Sequence, residues 1–511
     1  MTESDNTRKT LTLSKRPKET EDAAPANKRQ RSGGRARQVA QRELERTKQA
    51  PARTAAPGSG SERPIPSRPD RKNRAPDTSA ATPSFSERRG SSAPPHASGK
   101  RPEHEPRHDA ADAQADAPRI GRRKSAKPAR DAEIFPIFAP CPQGLEEALA
   151  EELQALGFDD ARPGRAGCHF STDWTGMQRA NLYSRLATRI LLQVAHGPVR
   201  HEDDILELAR QTPWERWFGP EQTLRVDTSA IRSPMQSLQY CNLRAKDGIC
   251  DRLREREGAR PDIDTVRPDA RVHLFLTEDS ATLYLDTSGE SLFKRGWRLD
   301  KGEAPIRENL AAGILALSGW DPSQPLLDPF CGSGTILIEA AWIALGVPAG
   351  IWRPFGFERL RNHDARHWRD LKDDARSHIG TQLESPLVGV DLDPAAIDAA
   401  RRNVERAWLT PDSIRFEVGD ARDTLPPAPS GWLVTNPPYG LRLDTDDTEM
   451  WRAWSQNLKH NFSGWRIGVI TSDLSLPQKM RLKPNRRYPL HNGALDCRLF
   501  NFEMVQASYR R

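Results

Sequence analysis

The sequence predicts an α/β protein whose C-terminal part, residues 300–511, is a doubly wound parallel sheet with helices on both faces. Three observations carry this. Residues 1–130 hold 30 Lys+Arg against 16 Asp+Glu and a single aromatic residue, Phe85. Such a segment cannot bury enough apolar surface to offset its ordering entropy. Between residues 134 and 290, short β-branched runs alternate with amphipathic stretches, the pattern of a small α+β region rather than one long sheet. Beyond residue 300, five near-continuous apolar runs appear: "PLLDPF", "PLVGVDLD", "IRFEVGDA", "GWLVTNPP" and "WRIGVITSD". Several are separated by helical patterns, as in a sheet buried on both faces.

In order along the chain, "IFPIFAP" reads as the first strand and "CPQG" as a turn. "GLEEALAEELQALG" reads as a helix, because Leu145, Leu149, Leu153 and Leu156 recur at helical spacing and Gly157 ends it. "MQRANLYSRLATRILLQV" is expected to be a second helix. "TLRVDTSA", "RVHLFLTE" and "ATLYLDTS" are expected strands, and "YCNLRAKDGICDRLRERE" is an expected helix.

Composition narrows the function classes. The net charge of +7 is a basic tail joined to a mildly acidic body. The tail reads either as an electrostatic arm for nucleic acid or as a solubilising extension. The six cysteines, Cys141, Cys168, Cys241, Cys250, Cys331 and Cys497, show no C-x-x-C spacing, which argues against zinc and against a disulfide framework. No metal site is expected. The first residues lack the apolar core of a secretory signal, and no run approaches the ~18 residues of a membrane span. A soluble, cytoplasmic protein is therefore expected.

Three strand ends carry candidate chemistry. In "LLDPFCGSGTILIEAA" a strand ends at Asp328, Gly332 and Gly334 form a tight turn, and Thr335 opens a helix. Glycines let a ligand approach the backbone, and the helix N-terminus offers free amides. The turn departs from the dinucleotide G-x-G-x-x-G and is equally the mark of a plain strand–helix connection. In "LVGVDLDPAAIDAARRNVERA" a strand ends at Asp391, while Asp393 and Pro394 are placed to start a helix. A carboxylate at this strand end can accept hydrogen bonds from ribose hydroxyls. Because 63 residues separate Asp391 from Asp328, "VPAGIWRPFGFERLRNHDARHWRD" is read as an insertion. In "FEVGDARD", Asp420 follows the third strand and can meet an adenine edge. Each aspartate alone is as readily a helix cap or a surface carboxylate. Three at successive strand ends match the place where open α/β sheets bind ligands.

This series, followed by "NPPY", resembles the class I S-adenosylmethionine-dependent methyltransferases that act on amines. With "SLQYCNLRAKDGICDRLRE", "LYLDTSGESLFKRGWR", "APIRENLAAGIL" and "LSGWDPSQPLLDPFCGSGTILIEAAWIA", the chain resembles the THUMP-containing RNA methyltransferases over roughly residues 133–508. Within them it is most similar to the guanine-2-amino-methylating half of the bifunctional 23S ribosomal RNA enzyme. The chain stops where that enzyme's second methyltransferase domain begins, so no second activity is expected. The resemblance implies a ferredoxin-like segment (131–172), a THUMP RNA-binding domain (173–287) and a Rossmann-like methyltransferase domain (288–511). It implies S-adenosylmethionine as cofactor, with Asp328, Phe330, Gly332, Gly334 and Thr335 around the methionine part and the turn. Asp391 and Leu392 would meet the ribose, and Asp420 and Ala421 the adenine. Asn436, Pro437, Pro438 and Tyr439 would hold the target base, with Asn436 also bordering the cofactor. Cys331 is read as a packing residue, because methyl transfer to an amine needs no covalent intermediate.

The residue types of the loop suit that chemistry. The lone pair of an exocyclic amine is delocalised into its purine. The Asn436 side-chain oxygen and the Pro437 carbonyl are acceptors that can take both amine protons and favour a lone pair aimed at the methyl group. Positioning then supplies most of the rate. Prolines stiffen the loop, and Tyr439 offers a stacking face worth ~1–3 kcal/mol. A flipped or single-stranded base is implied.

The expected partner is large-subunit ribosomal RNA, free or in an assembling particle. Arg244 and Lys246 on the "YCNLRAKDGIC" helix are candidate phosphate contacts, with a salt-bridged solvated helix as the alternative. Lys294, Arg295, Trp297 and Arg298 of "FKRGWR" are candidate RNA contacts, with a basic interdomain hairpin as the alternative. Competing functions are a transfer RNA guanine methyltransferase, a DNA adenine 6-amino methyltransferase and a non-catalytic RNA-binding assembly factor.

Overall fold

A computed structural model of the chain describes residues 132–300, 306–438 and 448–505. The readings of the basic tail and of Tyr439 lie outside the described residues. The remainder builds two seven-stranded sheets.

The first sheet holds β1 (Phe135–Pro140), β2 (Arg162–Gly164), β3 (Gly167–Thr172), β4 (Leu191–Pro198), β5 (Leu224–Ala230), β6 (Ala270–Leu276) and β7 (Ser280–Asp286). Their order is β2-β3-β1-β4-β7-β6-β5, and only the β5–β6 pair is parallel. The α+β class holds, but these strands form one long sheet, contrary to the sequence expectation. The reason is that β4 pairs with β1 on one side and β7 on the other, joining the two halves edge to edge.

The helices of this half are α1 (Glu146–Ala155), α2 (Trp174–Tyr183), α3 (Glu202–Gln211) and α4 (Leu238–Glu257). Leu149 and Leu153 of α1 are buried as their spacing predicts. "MQRANLYSRLATRILLQV" is not one helix. It leaves the helix at Ser184 and enters β4 at Leu191. The half-buried Glu152 carboxylate accepts bonds from the Ser184 hydroxyl (2.7 Å) and the Arg185 amide (2.8 Å), which holds the chain out of helical geometry there.

The second sheet holds β8 (Leu326–Asp328), β9 (Leu387–Asp391), β10 (Arg415–Val418), β11 (Gly431–Thr435), β12 (Trp465–Thr471), β13 (Arg486–Asn492) and β14 (Leu495–Glu503). Their order is β10-β9-β8-β11-β12-β14-β13. The first five are parallel, and β14 runs antiparallel to β12. The C-terminal hairpin β13–β14 was not read from the sequence, because Arg486, Arg487 and Pro489 hide its strand pattern.

The helices here are α5 (Glu308–Leu317), α6 (Thr335–Ala344), α7 (Ala365–Ser377), α8 (Pro394–Arg406), α9 (Thr448–Asn461) and α10 (Leu476–Met480). α7 begins within the stretch read as an insertion and runs past its end. Asp393 caps α8 by accepting from the Ala395 amide, and Ile397, Ala400 and Val404 are buried. Strand order reverses between β8 and β11. Ligands of open α/β sheets bind in the crevice at such a switch point, outside the carboxyl ends of the strands.

Candidate cofactor and target-base site

A cavity of about 580 Å³ opens at that switch point, within the ~300–1,000 Å³ typical of small-molecule clefts. β8 delivers Asp328 to it, β9 delivers Asp391 and Leu392, and the turn after β10 delivers Asp420 and Ala421. Phe330, Gly332, Thr335, Asn436 and Pro438 complete the expected lining. Gly334 and Pro437 do not line it. Gly334, at φ +80°, instead lets α6 approach α8 and β10: an added Cβ would sit 3.2 Å from Ala400 and from Phe416. Sequence reasoning missed Ile306, Ser333, Ala396, Gly419, Arg422 and Met450. Arg422 was legible as the cation two residues after Asp420, whereas Ile306 and Met450 arrive from remote segments with no local signal.

Each aspartate has a distinct task. Asp328 is buried, and its Oδ1 accepts from the Thr435 hydroxyl (2.6 Å) and the Phe330 amide (3.2 Å). Burial, reinforced by the nearby Asp391 charge, pushes its carboxyl up to about 7. The Thr435 bond ties the end of β11 to the end of β8, so the loop beginning at Asn436 is fixed relative to the acid. Asp391 Oδ2 accepts from the Gly332 amide (2.8 Å), and its Oδ1 from the Asp393 amide (3.0 Å). It therefore braces the glycine turn while each oxygen keeps a lone pair for a ligand hydroxyl. Asp420 is gripped by the Arg422 guanidinium (2.6–3.0 Å), which holds its carboxyl below the usual range. The Cys331 thiol is buried, and burial raises it far above its ordinary value, so it stays protonated.

Asn436 supplies the sharpest observation. Its Oδ1 is buried and has no hydrogen-bond partner among the described residues. Buried polar atoms are nearly always paired, and an orphan costs roughly 1–3 kcal/mol. An acceptor left unpaired on a cavity wall is poised for a donor that a ligand brings.

The expected RNA contacts fare differently. Arg295 is 1% exposed, and its guanidinium bonds to Glu339 and to the carbonyls of Leu292 and Arg185. Trp297 is 1% exposed and packs edge-on against Trp342. Arg298 pairs with buried Glu308 at 3.0 Å. These three are interior residues, not an RNA-facing hairpin. A guanidinium is drawn inside when a carboxylate and backbone carbonyls satisfy it, and Glu339 and Glu308 lie too far along the chain for local reading to find. Lys294 is exposed and pairs with Glu290. Arg244 pairs with Asp203, and Lys246 with Asp247 at 2.8 Å. That is the salt-bridged helix held open as the alternative.

A parallel sheet with carboxylates at three successive strand ends, and an amide acceptor after the fourth, defines a methyltransferase-type nucleotide site. Comparison with known proteins gives the particular family. Residues 136–191 match the family described as RlmL ferredoxin-like domain, residues 199–286 the THUMP domain, and residues 295–501 the RMKL-like, methyltransferase domain. A "Ribosomal RNA large subunit methyltransferase K/L" of Syntrophotalea carbinolica is 39% identical over 386 residues, 73% of this chain and 54% of that protein. A "possible methylase" from Clostridium difficile 630 is 30% identical with a TM-score of 0.68, over 73% of this chain and 98% of that one. SMU.472, solved in complex with SAH, is 27% identical with the same TM-score and the same two coverages. The chain belongs to the THUMP-containing methyltransferase family. It spans about half the length of the curated relatives it matches.

Proposed function

We propose that the chain transfers a methyl group from S-adenosylmethionine to the exocyclic 2-amino group of a guanine in 23S ribosomal RNA, in the cytoplasm. The reading divides the chain into a basic tail (1–130), a ferredoxin-like segment (131–172), a THUMP RNA-binding domain (173–287) and a methyltransferase domain (288–511). The names of the curated relatives support the substrate, and the SAH complex of SMU.472 supports the cofactor. Among the described residues, no helix is long and apolar enough to cross a membrane.

The observation that carries the reading is the buried, unpaired Oδ1 of Asn436, a residue that lines the cavity. The donor set fits the cofactor: Asp328, Asp391 and Asp420 give one small cavity an acidic lining, which suits a cationic ligand. When bound, the cofactor offers a methyl group on a sulfonium, a strong leaving group. Asp391 would accept from ribose hydroxyls while it holds the Gly332 turn, and Asp420 would meet the adenine amine. Asn436 Oδ1 and the Pro437 carbonyl would accept the two protons of the target amine and orient its lone pair. The nitrogen sheds its extra proton after transfer, so no strong base is required. The test is mass-spectrometric mapping of ribosomal and transfer RNA from a deletion strain. Loss of one N2-methylguanosine in 23S RNA is expected; loss confined to transfer RNA would overturn the substrate.

A further inference from the structure

We propose that the open face of the first sheet is a stacking platform for single-stranded RNA, centred on Phe138 and His169. This rests on the RNA-methylating reading and deepens it by naming how the RNA is held.

All four helices of this half pack on one side of the sheet. The Cys168 thiol meets the Glu146 carbonyl of α1, Trp174 of α2 stacks on Trp217, which meets Phe135, and α3 and α4 cover β4 and β5. The other face carries the alternate residues; Tyr284, Thr282, Asp286 and Leu191 are buried on it, and its exposed ring area lies at the β1–β3 end. Its rings form a row. His169 lies opposite Phe138 in the β1–β3 register, with centroids 4.8 Å apart and planes at 34°. Phe138 is 5.9 Å from Tyr284 of β7, and Tyr284 lies opposite His273 of β6. Phe138 is half-buried and His169 is exposed, so ring surface remains free. Partial desolvation against Phe138 and the neighbouring Arg162 charge hold the His169 imidazole below its ordinary value, which keeps a neutral ring at pH 7.

The charge around the row is that of a polyanion site. Arg162 lies opposite His169 in register and is exposed. Arg189, Arg225 and Arg271 flank the other end, beside Asp227, Asp286 and Glu290. Four arginines against these three carboxylates leave a net positive charge. Rings spaced about one strand apart accept bases that are unstacked from one another, and arginines beside them accept phosphates. Duplex RNA, whose base faces are already stacked, does not fit this row.

The test uses the full chain and a short fluorescent oligouridylate, at ~0.3 M salt to weaken attraction to the basic tail. Phe138→Leu and His169→Gln are each expected to weaken binding ~5-fold or more, and Phe138→Tyr to retain it. Crosslinking of a 4-thiouridine oligonucleotide to the unmodified chain is expected at residues 135–140 and 167–172, which guards against variants that merely misfold. Unchanged affinity in both ring-removing variants, equal competition by duplex RNA, or RNA crosslinks confined to residues 1–131 would each overturn the proposal. Calorimetry with S-adenosylmethionine on the same preparations judges the methyl-transfer reading separately.

Discussion

Replacing Asp328 by asparagine separates the stability of the site from its ligand affinity. The folded chain holds this carboxyl at about 7 against an ordinary 3.8, chiefly because it is buried. The sign follows from linkage. A raised folded value means that the neutral form is favoured, so the stabilising contribution is complete below about pH 3.8 and is lost as pH rises through about 7. At pH 8 the ionised group costs the folded chain on the order of 4 kcal/mol. Asparagine carries no charge, and its oxygen can still accept from Thr435 and Phe330. The ligand-free variant should therefore melt roughly 10 °C higher than the unmodified chain at pH 8, with the gap closing toward pH 4. Cofactor affinity should move the opposite way. Between pH 5.5 and 7.5 the ionised fraction rises from ~3% to ~75%, so the unmodified chain should bind the cationic cofactor ~20-fold more tightly across that window. The asparagine variant should bind weakly with a flat profile. Thermal melts and calorimetric titrations at several pH values read both quantities. A variant less stable than the unmodified chain at pH 8, or a flat profile in the unmodified chain, would refute the reasoning.

Asp391→Ala leaves the Gly332 and Asp393 amides without their acceptor. The expected result is a loss of ~1–3 kcal/mol in denaturant unfolding and a loss of cofactor affinity, while Asp391→Asn recovers part of the stability. Arg295→Met removes the nearer of the two arginines beside buried Glu339 and leaves it Arg185 alone, at 3.7 Å. It should destabilise the fold by ~3–5 kcal/mol in the same assay, and RNA affinity of the folded fraction, read by polarisation, should stay unchanged because the side chain is interior. Arg422→Ala breaks a largely exposed pair, so stability should change by less than ~1 kcal/mol, while the freed Asp420 alters cofactor affinity in calorimetry.

Legibility in the sequence followed the range of the interactions involved. The parallel sheet was legible because buried strands write near-continuous apolar runs, and Asp328, Asp391 and Asp420 were legible because each stands at or just beyond the end of one. Asp393 was legible as a cap because capping acts over two residues. The break at Ser184 was not, since it depends on Glu152 more than thirty residues earlier. Arg295, Trp297 and Arg298 were misread for the same reason. In a local window they are cations beside an aromatic ring, and only Glu339, Trp342 and Glu308 turn them into core residues. The union of β1–β3 with β4–β7 into one sheet is likewise a property of pairing, which no single strand announces.

The central claim is that Asn436 holds a guanine amine for methylation. Its most direct test incubates the recombinant chain with isotope-labelled S-adenosylmethionine and a 23S RNA transcript, then digests the RNA and identifies the labelled nucleoside by mass spectrometry. N2-methylguanosine is expected from the unmodified chain and none from Asn436→Ala, with cofactor binding largely kept. Label in N6-methyladenosine, or undiminished N2-methylguanosine from Asn436→Ala, would contradict it.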